Sequence, residues 1–129
     1  MSRRWTIGLC VWTFLVWTTR IGNIWNDDAL TDGEKWGRTG LAMSFTVLAL
    51  AVIVALVKRA TWLRPAVVVM AAWTTAVWVV RAVGVATGDH DAAFIAVHLF
   101  LAAVSLTLAA LAVREGAHGA ASEATRGRR

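Results

Sequence analysis

Two arginines inside apolar segments are the residues of this chain best suited to chemistry. The stretch "WTFLVWTTR" at 12–20 ends in Arg20, and "WTTAVWVVR" at 73–81 ends in Arg81. A guanidinium keeps its positive charge and binds carboxylate or phosphate through two parallel hydrogen bonds. An arginine within a membrane segment costs about 2.5–3.5 kcal/mol to insert, so its presence there points to a function. The expected chemistry is the binding of an anion.

The two stretches align at an offset of 61 positions, with five identities in nine, and residues 44–52 match 105–113 with six in nine. At 100° per residue, the repeated side chains share one helix face with the arginine near its middle. Trp17 and Trp78 each precede an arginine by three residues, which predicts cation–π contacts of about 2 kcal/mol. We therefore predict two parallel helical-hairpin repeats about an axis along the membrane normal. Chance similarity between Trp-rich helices is the alternative.

The arginines lie in two of four apolar segments, and hydrophobic residues make up 58% of the 129 positions. Each segment is close to the roughly 20 residues that a membrane helix needs. Only helices satisfy the backbone in lipid without closing a barrel, and short connections make neighbouring helices antiparallel. The sequence thus predicts an all-α polytopic membrane protein, a four-helix transmembrane bundle over residues 1–113. We interpret the first segment as a retained helix and not as a signal peptide. The predicted spans are 5–24, 40–57, 66–86 and 92–113.

Basic residues are divided unevenly between the two ends of the predicted bundle. Nine lie at one end and only Lys35 and Arg38 at the other, which carries most of the acidic residues. The positive-inside rule then places both termini in the cytoplasm, in a multi-pass protein of the cytoplasmic (inner) membrane. The polar segment 114–129 lacks periodicity and is predicted to be a disordered cytoplasmic tail. The nine are Arg3, Arg4, Lys58, Arg59, Arg64, Arg114, Arg126, Arg128 and Arg129.

Counting residues along each span places several polar side chains at one depth. Arg20 and Arg81 each lie 15 residues into their spans, about 22 Å from the cytoplasmic edge. His98 enters from the other side, about 9 Å below the outer edge. The sequence predicts an outward-facing cup formed by Arg20, Arg81, His98, Asn23 and Ser44, with Trp17 and Trp78 beside the arginines.

Other interpretations of the same residues stay open at this point. The arginines are near enough to the outer interface to form a structural ion-pair clasp with the acidic connections. A haem would need axial ligands, and only His98 lies within a span; "DHD" at 89–91 is more typical of solvated loop residues than of a metal site. We find no catalytic triad, phosphate loop or paired carboxylates, so we predict no enzyme, no cofactor and no nucleic-acid partner. The acidic residues of the alternative clasp are Asp27, Asp28, Asp89 and Asp91.

Two segments, "VWTTRIGNIWND" and "RAVGVATGDHDAAFIAVHLFLAAVSL", resemble small uncharacterised four-helix membrane proteins of high-GC actinobacteria. That resemblance implies a four-helix membrane fold and no activity. The predicted function is a non-enzymatic accessory or interaction protein. Its cup is expected to bind a lipid headgroup, a small anion or an acidic partner segment, within a larger membrane complex or a homo-oligomer. The alternative is an oligomeric small-anion transporter or channel.

Overall fold

The computed structural model describes residues 3–128, with the backbone alone at 119–121. Within this range the regular elements are four helices and no strand: α1 (Arg4–Trp25), α2 (Asp32–Lys58), α3 (Leu63–Thr87) and α4 (Ala92–Gly127). Each helix is long and apolar enough to cross a membrane. The structure confirms the prediction of an all-helical chain with four helices of membrane-spanning length.

Helix α2 begins at Asp32, well before the predicted start of its span at Gly40, because a capping box precedes it. The Thr31 hydroxyl accepts a hydrogen bond from the Glu34 amide at 3.2 Å, and the Glu34 carboxylate accepts one from the Thr31 amide at 3.2 Å. These two bonds satisfy backbone donors that a helix start leaves unpaired. The polar residues 32–39 therefore extend the helix beyond its apolar segment.

The predicted tail is also largely helical, which differs from our expectation of disorder over 114–129. Helix α4 continues past Val113 to Gly127, and Arg129 lies outside the described residues. Residues 114–127 include four alanines, the strongest helix former, and extending an existing helix needs no new nucleus. The polar composition of this segment favoured disorder, but composition does not take into account that α4 directly precedes it and can be extended.

The four helices form a ring in which α1 and α3 each pack against both α2 and α4. We call the end with the connections 26–31 and 88–91 the distal end, and the end with the connection 59–62 the proximal end. Two groups of buried residues fill the interior. The proximal core centres on Leu9, Met70 and Val52, and the distal core is Trp17, Trp78, Phe45, Ala42 and Ala102.

The exterior of the bundle is apolar, in keeping with helices that face lipid. The most exposed large apolar side chains include Val57 at 79%, Val80 at 72% and Phe100 at 63% of their full area. In water such a surface would be an association site. Around a four-helix bundle of membrane length, it is the surface that hydrocarbon covers.

Buried positions recur between the two helical hairpins. All six buried residues of α1 have a buried counterpart in α3 at an offset of 61 positions. Buried positions of α2 recur in α4 at an offset of 60, one less than the offset of the sequence identities. The buried positions of the second hairpin therefore follow those of the first at 61 residues in its first helix, α3, and at 60 residues in its second helix, α4. The α1 and α3 pairs are Thr6 and Val67, Leu9 and Met70, Cys10 and Ala71, Thr13 and Thr74, Trp17 and Trp78, and Ile24 and Val85.

Candidate functional site

A cavity of about 290 Å³ lies in the distal half of the bundle between α1, α3 and α4. The apolar segments of these helices set its walls, and their polar residues come together where the depth count expected them. Six of the seven predicted site residues line it: Arg20, Arg81, His98, Asn23, Trp17 and Trp78.

Ser44 is the predicted site residue that the structure does not bring to the cavity. It lies on the α2–α3 side, where its hydroxyl donates to the Leu41 carbonyl at 2.6 Å and accepts from the Trp73 indole N–H at 3.0 Å. Counting residues along the span gave the depth of Ser44, but it did not determine how α2 is rotated about its axis. The role of Ser44 is structural, because it holds Trp73 between two helices.

Trp12 is a cavity residue that the predicted site did not include. Its indole N–H donates to the Ser105 hydroxyl at 2.9 Å, and that hydroxyl donates to the Leu101 carbonyl at 2.7 Å. This fixes the Trp12 ring as one wall of the cavity. The sequence repeat could have indicated this contact, because Trp12 aligns with Trp73 and Ser105 aligns with Ser44.

The hydrogen bonds of His98 orient its ring toward Arg20. Nδ1 lies 2.9 Å from the Phe94 carbonyl oxygen, which can only accept, so Nδ1 carries the proton and donates. Nε2 then presents a lone pair, and Nη1 of Arg20 donates to it at 3.4 Å. The imidazole also stacks on Phe94 at 4.0 Å between ring centroids. His98 is therefore placed to accept from Arg20 and to position its guanidinium at the cavity.

The tryptophans form the inner wall of the cavity and do not pair with the arginines. Trp17 stacks on Phe45 with ring centroids 4.2 Å apart and planes 11° apart, and Trp78 lies 6.0 Å from Trp17. Within residues 3–128, the cation–π contacts are those of Arg4 with Trp5 and Lys35 with Trp25. The expected cation–π pairs with Arg20 and Arg81 are thus absent from this part of the chain. The Trp17 ring stacks on Phe45 instead, and the Trp78 ring packs against Trp17.

The cavity has a concentrated positive charge. Arg20 and Arg81 are both half-buried. Both line the same cavity, so two guanidiniums of like charge share one site. Within residues 3–128, neither cavity arginine forms an ion pair with a carboxylate. Charged groups of one sign in a partly desolvated site favour the uptake of a group of the opposite sign.

The four acidic residues of the alternative clasp are exposed, and two of them form local bonds to the backbone instead. The Asp27 carboxylate accepts from the Ala29 amide at 3.0 Å, which forms a local turn. The Asp91 carboxylate caps α4 by accepting from the Phe94 amide at 2.8 Å. No group of three His, Cys, Asp or Glu side chains placed to hold a metal ion occurs among the described residues.

Comparison with known proteins adds no relative to this picture. The chain matches no protein-family model, no curated protein and no solved structure. Its function has to be inferred from the geometry and charge of the cavity.

Proposed function

We propose that this chain is a non-enzymatic integral membrane accessory protein whose distal cavity binds an anionic group. The observation that carries the proposal is the pairing of Arg20 and Arg81. Two half-buried guanidiniums face one 290 Å³ cavity with no carboxylate partner among residues 3–128. A phosphate or carboxylate held between them would relieve their repulsion and accept from both.

The insertion cost of the arginines supports a ligand over a purely structural role. Each costs about 2.5–3.5 kcal/mol to place in a membrane segment. His98 offers Arg20 one neutral acceptor at 3.4 Å, which leaves most of its five N–H donors free for a ligand. A site that served only to hold the helices together would be expected to pair these donors with the nearby aspartates.

The charge distribution supports a membrane orientation in which the cavity faces outward. We infer that both termini are cytoplasmic, because the sequence has nine of its eleven basic residues outside the predicted spans in the two terminal segments and between the second and third spans. The cavity then lies in the outer half of the inner membrane. Cysteine replacement at Asp28 and at Arg126, followed by labelling with a membrane-impermeant thiol reagent in a Cys10→Ser background, tests this orientation. Only the cysteine at position 28 should react in intact cells.

The paired hydrogen bonds of the two hairpins support an origin by duplication. Trp12 of α1 reaches Ser105 of α4, and Trp73 of α3 reaches Ser44 of α2. The offset of 61 positions converts one of these contacts into the other, as expected for parallel repeats. The buried positions shared by α1 and α3 at the same offset agree with it. We infer that Arg20 and Arg81 are the duplicated halves of one binding site.

The close packing of the proximal core favours binding over transport through a single chain. Ala49, Val52, Ala55 and Met70 are completely buried there. An anion leaving the cavity toward the proximal end would meet this core. An oligomeric channel would need a route between chains, and anion flux into proteoliposomes that disappears in R20Q/R81Q would support that alternative.

Titration calorimetry of inorganic phosphate into the protein in a neutral detergent tests the proposal. Removing one guanidinium removes charge-assisted hydrogen bonds worth about 1.5–3 kcal/mol, so R20Q should weaken binding about 12- to 160-fold. K58Q/R64Q, which removes two proximal charges, is the matched control and should bind like the wild type. Equal phosphate affinity in R20Q/R81Q and the control would refute the proposal.

A further inference from the structure

The cavity is polar at one end and apolar at the other. On α1 its lining runs from Asn23 and Arg20 at the distal end to Leu15 and Trp12 nearer the centre of the bundle. Residues 12 and 23 are separated by about 16 Å along the helix axis. The same order holds on α4, where His98 is distal to Leu101. A ligand that fills the cavity therefore has its charge at the distal end and apolar atoms below it.

The cavity opens sideways between α1 and α4. Leu15 and Val97 line it, and these side chains are 61% and 56% exposed on the outside of the bundle. Thr19, also exposed, lies on the same edge. The lining includes residues of α1, α3 and α4 and none of α2. In a membrane this opening faces hydrocarbon, so a molecule already in the bilayer reaches the arginines without crossing water.

The cavity is too small to enclose a phospholipid. At 290 Å³ it has the volume of about ten water molecules, enough for a phosphate headgroup and the first carbons of a chain. The rest of an amphiphile has to leave through the opening, where Leu15 and Val97 provide an apolar edge. Small water-soluble anions need no such edge.

We propose that the ligand is the headgroup of an anionic phospholipid that enters sideways between α1 and α4, with its phosphate between Arg20 and Arg81. This rests on the proposed function and names the class of its ligand. The acyl chains follow Leu15 and Val97 toward the middle of the bilayer. The net negative charge of the lipid distinguishes it from a zwitterionic lipid, whose own cation the arginines repel.

Native mass spectrometry of the full chain, released from micelles with phosphatidylglycerol and phosphatidylcholine in equal amounts, tests the inference. The wild type should retain phosphatidylglycerol at least about tenfold more than phosphatidylcholine, because both lipids offer the same phosphate acceptor but the arginines repel the choline cation. R20Q/R81Q should lose this preference. V97W, which fills the opening and leaves the arginines in place, should lose phosphatidylglycerol about tenfold.

V80W is the matched control, because Val80 is exposed on the outside of α3 and does not line the cavity; it should bind lipid like the wild type. Circular dichroism checks that each variant is folded, and L15W provides a second block if V97W is not. If V97W and L15W retain phosphatidylglycerol while R20Q/R81Q loses phosphate, the sideways entry of lipid is refuted and the anion cavity stands. If R20Q/R81Q changes neither lipid nor phosphate binding, both proposals fail.

Discussion

Replacing Glu115 by alanine should lower the free energy of unfolding of the bundle by about 2–4 kcal/mol. The Glu115 carboxylate lies beside the first turn of α1 and accepts from both the amide and the hydroxyl of Thr6, each at 3.1 Å. Thr6 is only 1% exposed, and its amide is one of the donors that a helix start leaves unpaired. No side chain caps α1 at Arg3, so Glu115 performs this role from 109 residues away.

The magnitude follows from the two donors that the substitution would leave unpaired. A buried donor without a partner costs about 1–3 kcal/mol, and two such donors cost about 2–6 kcal/mol. The substitution also removes the second carboxylate oxygen, Oε1 of Glu115, which is buried without a hydrogen-bond partner. Losing that unsatisfied atom offsets part of the cost, so the lower half of the range applies. E115Q keeps an acceptor oxygen and loses the charge, and it should cost about 1 kcal/mol. T6V removes only the hydroxyl donor and should also cost about 1 kcal/mol.

Unfolding in mixed micelles with increasing dodecyl sulfate, followed by circular dichroism, measures these differences. Hydrogen exchange of the Thr6 amide gives a local measurement, and it should become faster in E115A. E123A is the matched control, because Glu123 is exposed on the same helix. The reasoning would be refuted if E115A and E123A unfolded at the same dodecyl sulfate fraction and the Thr6 amide stayed protected.

Three further experiments test separate contacts. A double-mutant cycle of W12F and S105A should give a coupling of about 0.6 kcal/mol, and no more than about 1.7, as for hydrogen bonds between membrane helices; zero coupling in unfolding titrations would contradict the contact. H98L should weaken phosphate binding about two- to twelvefold in calorimetry, since Arg20 loses one neutral acceptor and keeps its charge; a loss as large as that of R20Q would contradict a positioning role. T31A should destabilise the start of α2 by about 1 kcal/mol, seen as faster amide exchange over residues 32–35, and unchanged exchange would exclude the cap.

The sequence predicted the four helices, and it placed the two cavity arginines at one depth, because both depend on local features. Membrane helices need long apolar segments, and Arg20 and Arg81 interrupt two of them at equal depth. Counting 1.5 Å per residue is enough to place His98 at that level. Helix lengths and depths are properties of single segments, so one sequence specifies them.

The sequence did not predict contacts that depend on the rotation of a helix about its axis. Ser44 has the expected depth, but α2 turns it toward Trp73. Trp17 has an arginine three residues away, but its ring face packs on Phe45. Both outcomes depend on how α2 packs against α1 and α3. The contact of Glu115 with Thr6 was missed for a further reason, because Glu115 follows the predicted end of the last span.

The most direct test of the central claim is a solid-state NMR measurement of dipolar coupling between lipid ³¹P and arginine ¹³Cζ. The protein is labelled at arginine and reconstituted in bilayers that contain phosphatidylglycerol, and R20K/R81K identifies the signals of the two cavity residues. A phosphate held between the guanidiniums predicts strong dephasing of the Arg20 and Arg81 signals, which persists at high salt because the site is half-buried. If only the exposed arginines dephase, and salt abolishes the effect, the cavity does not hold the anionic group.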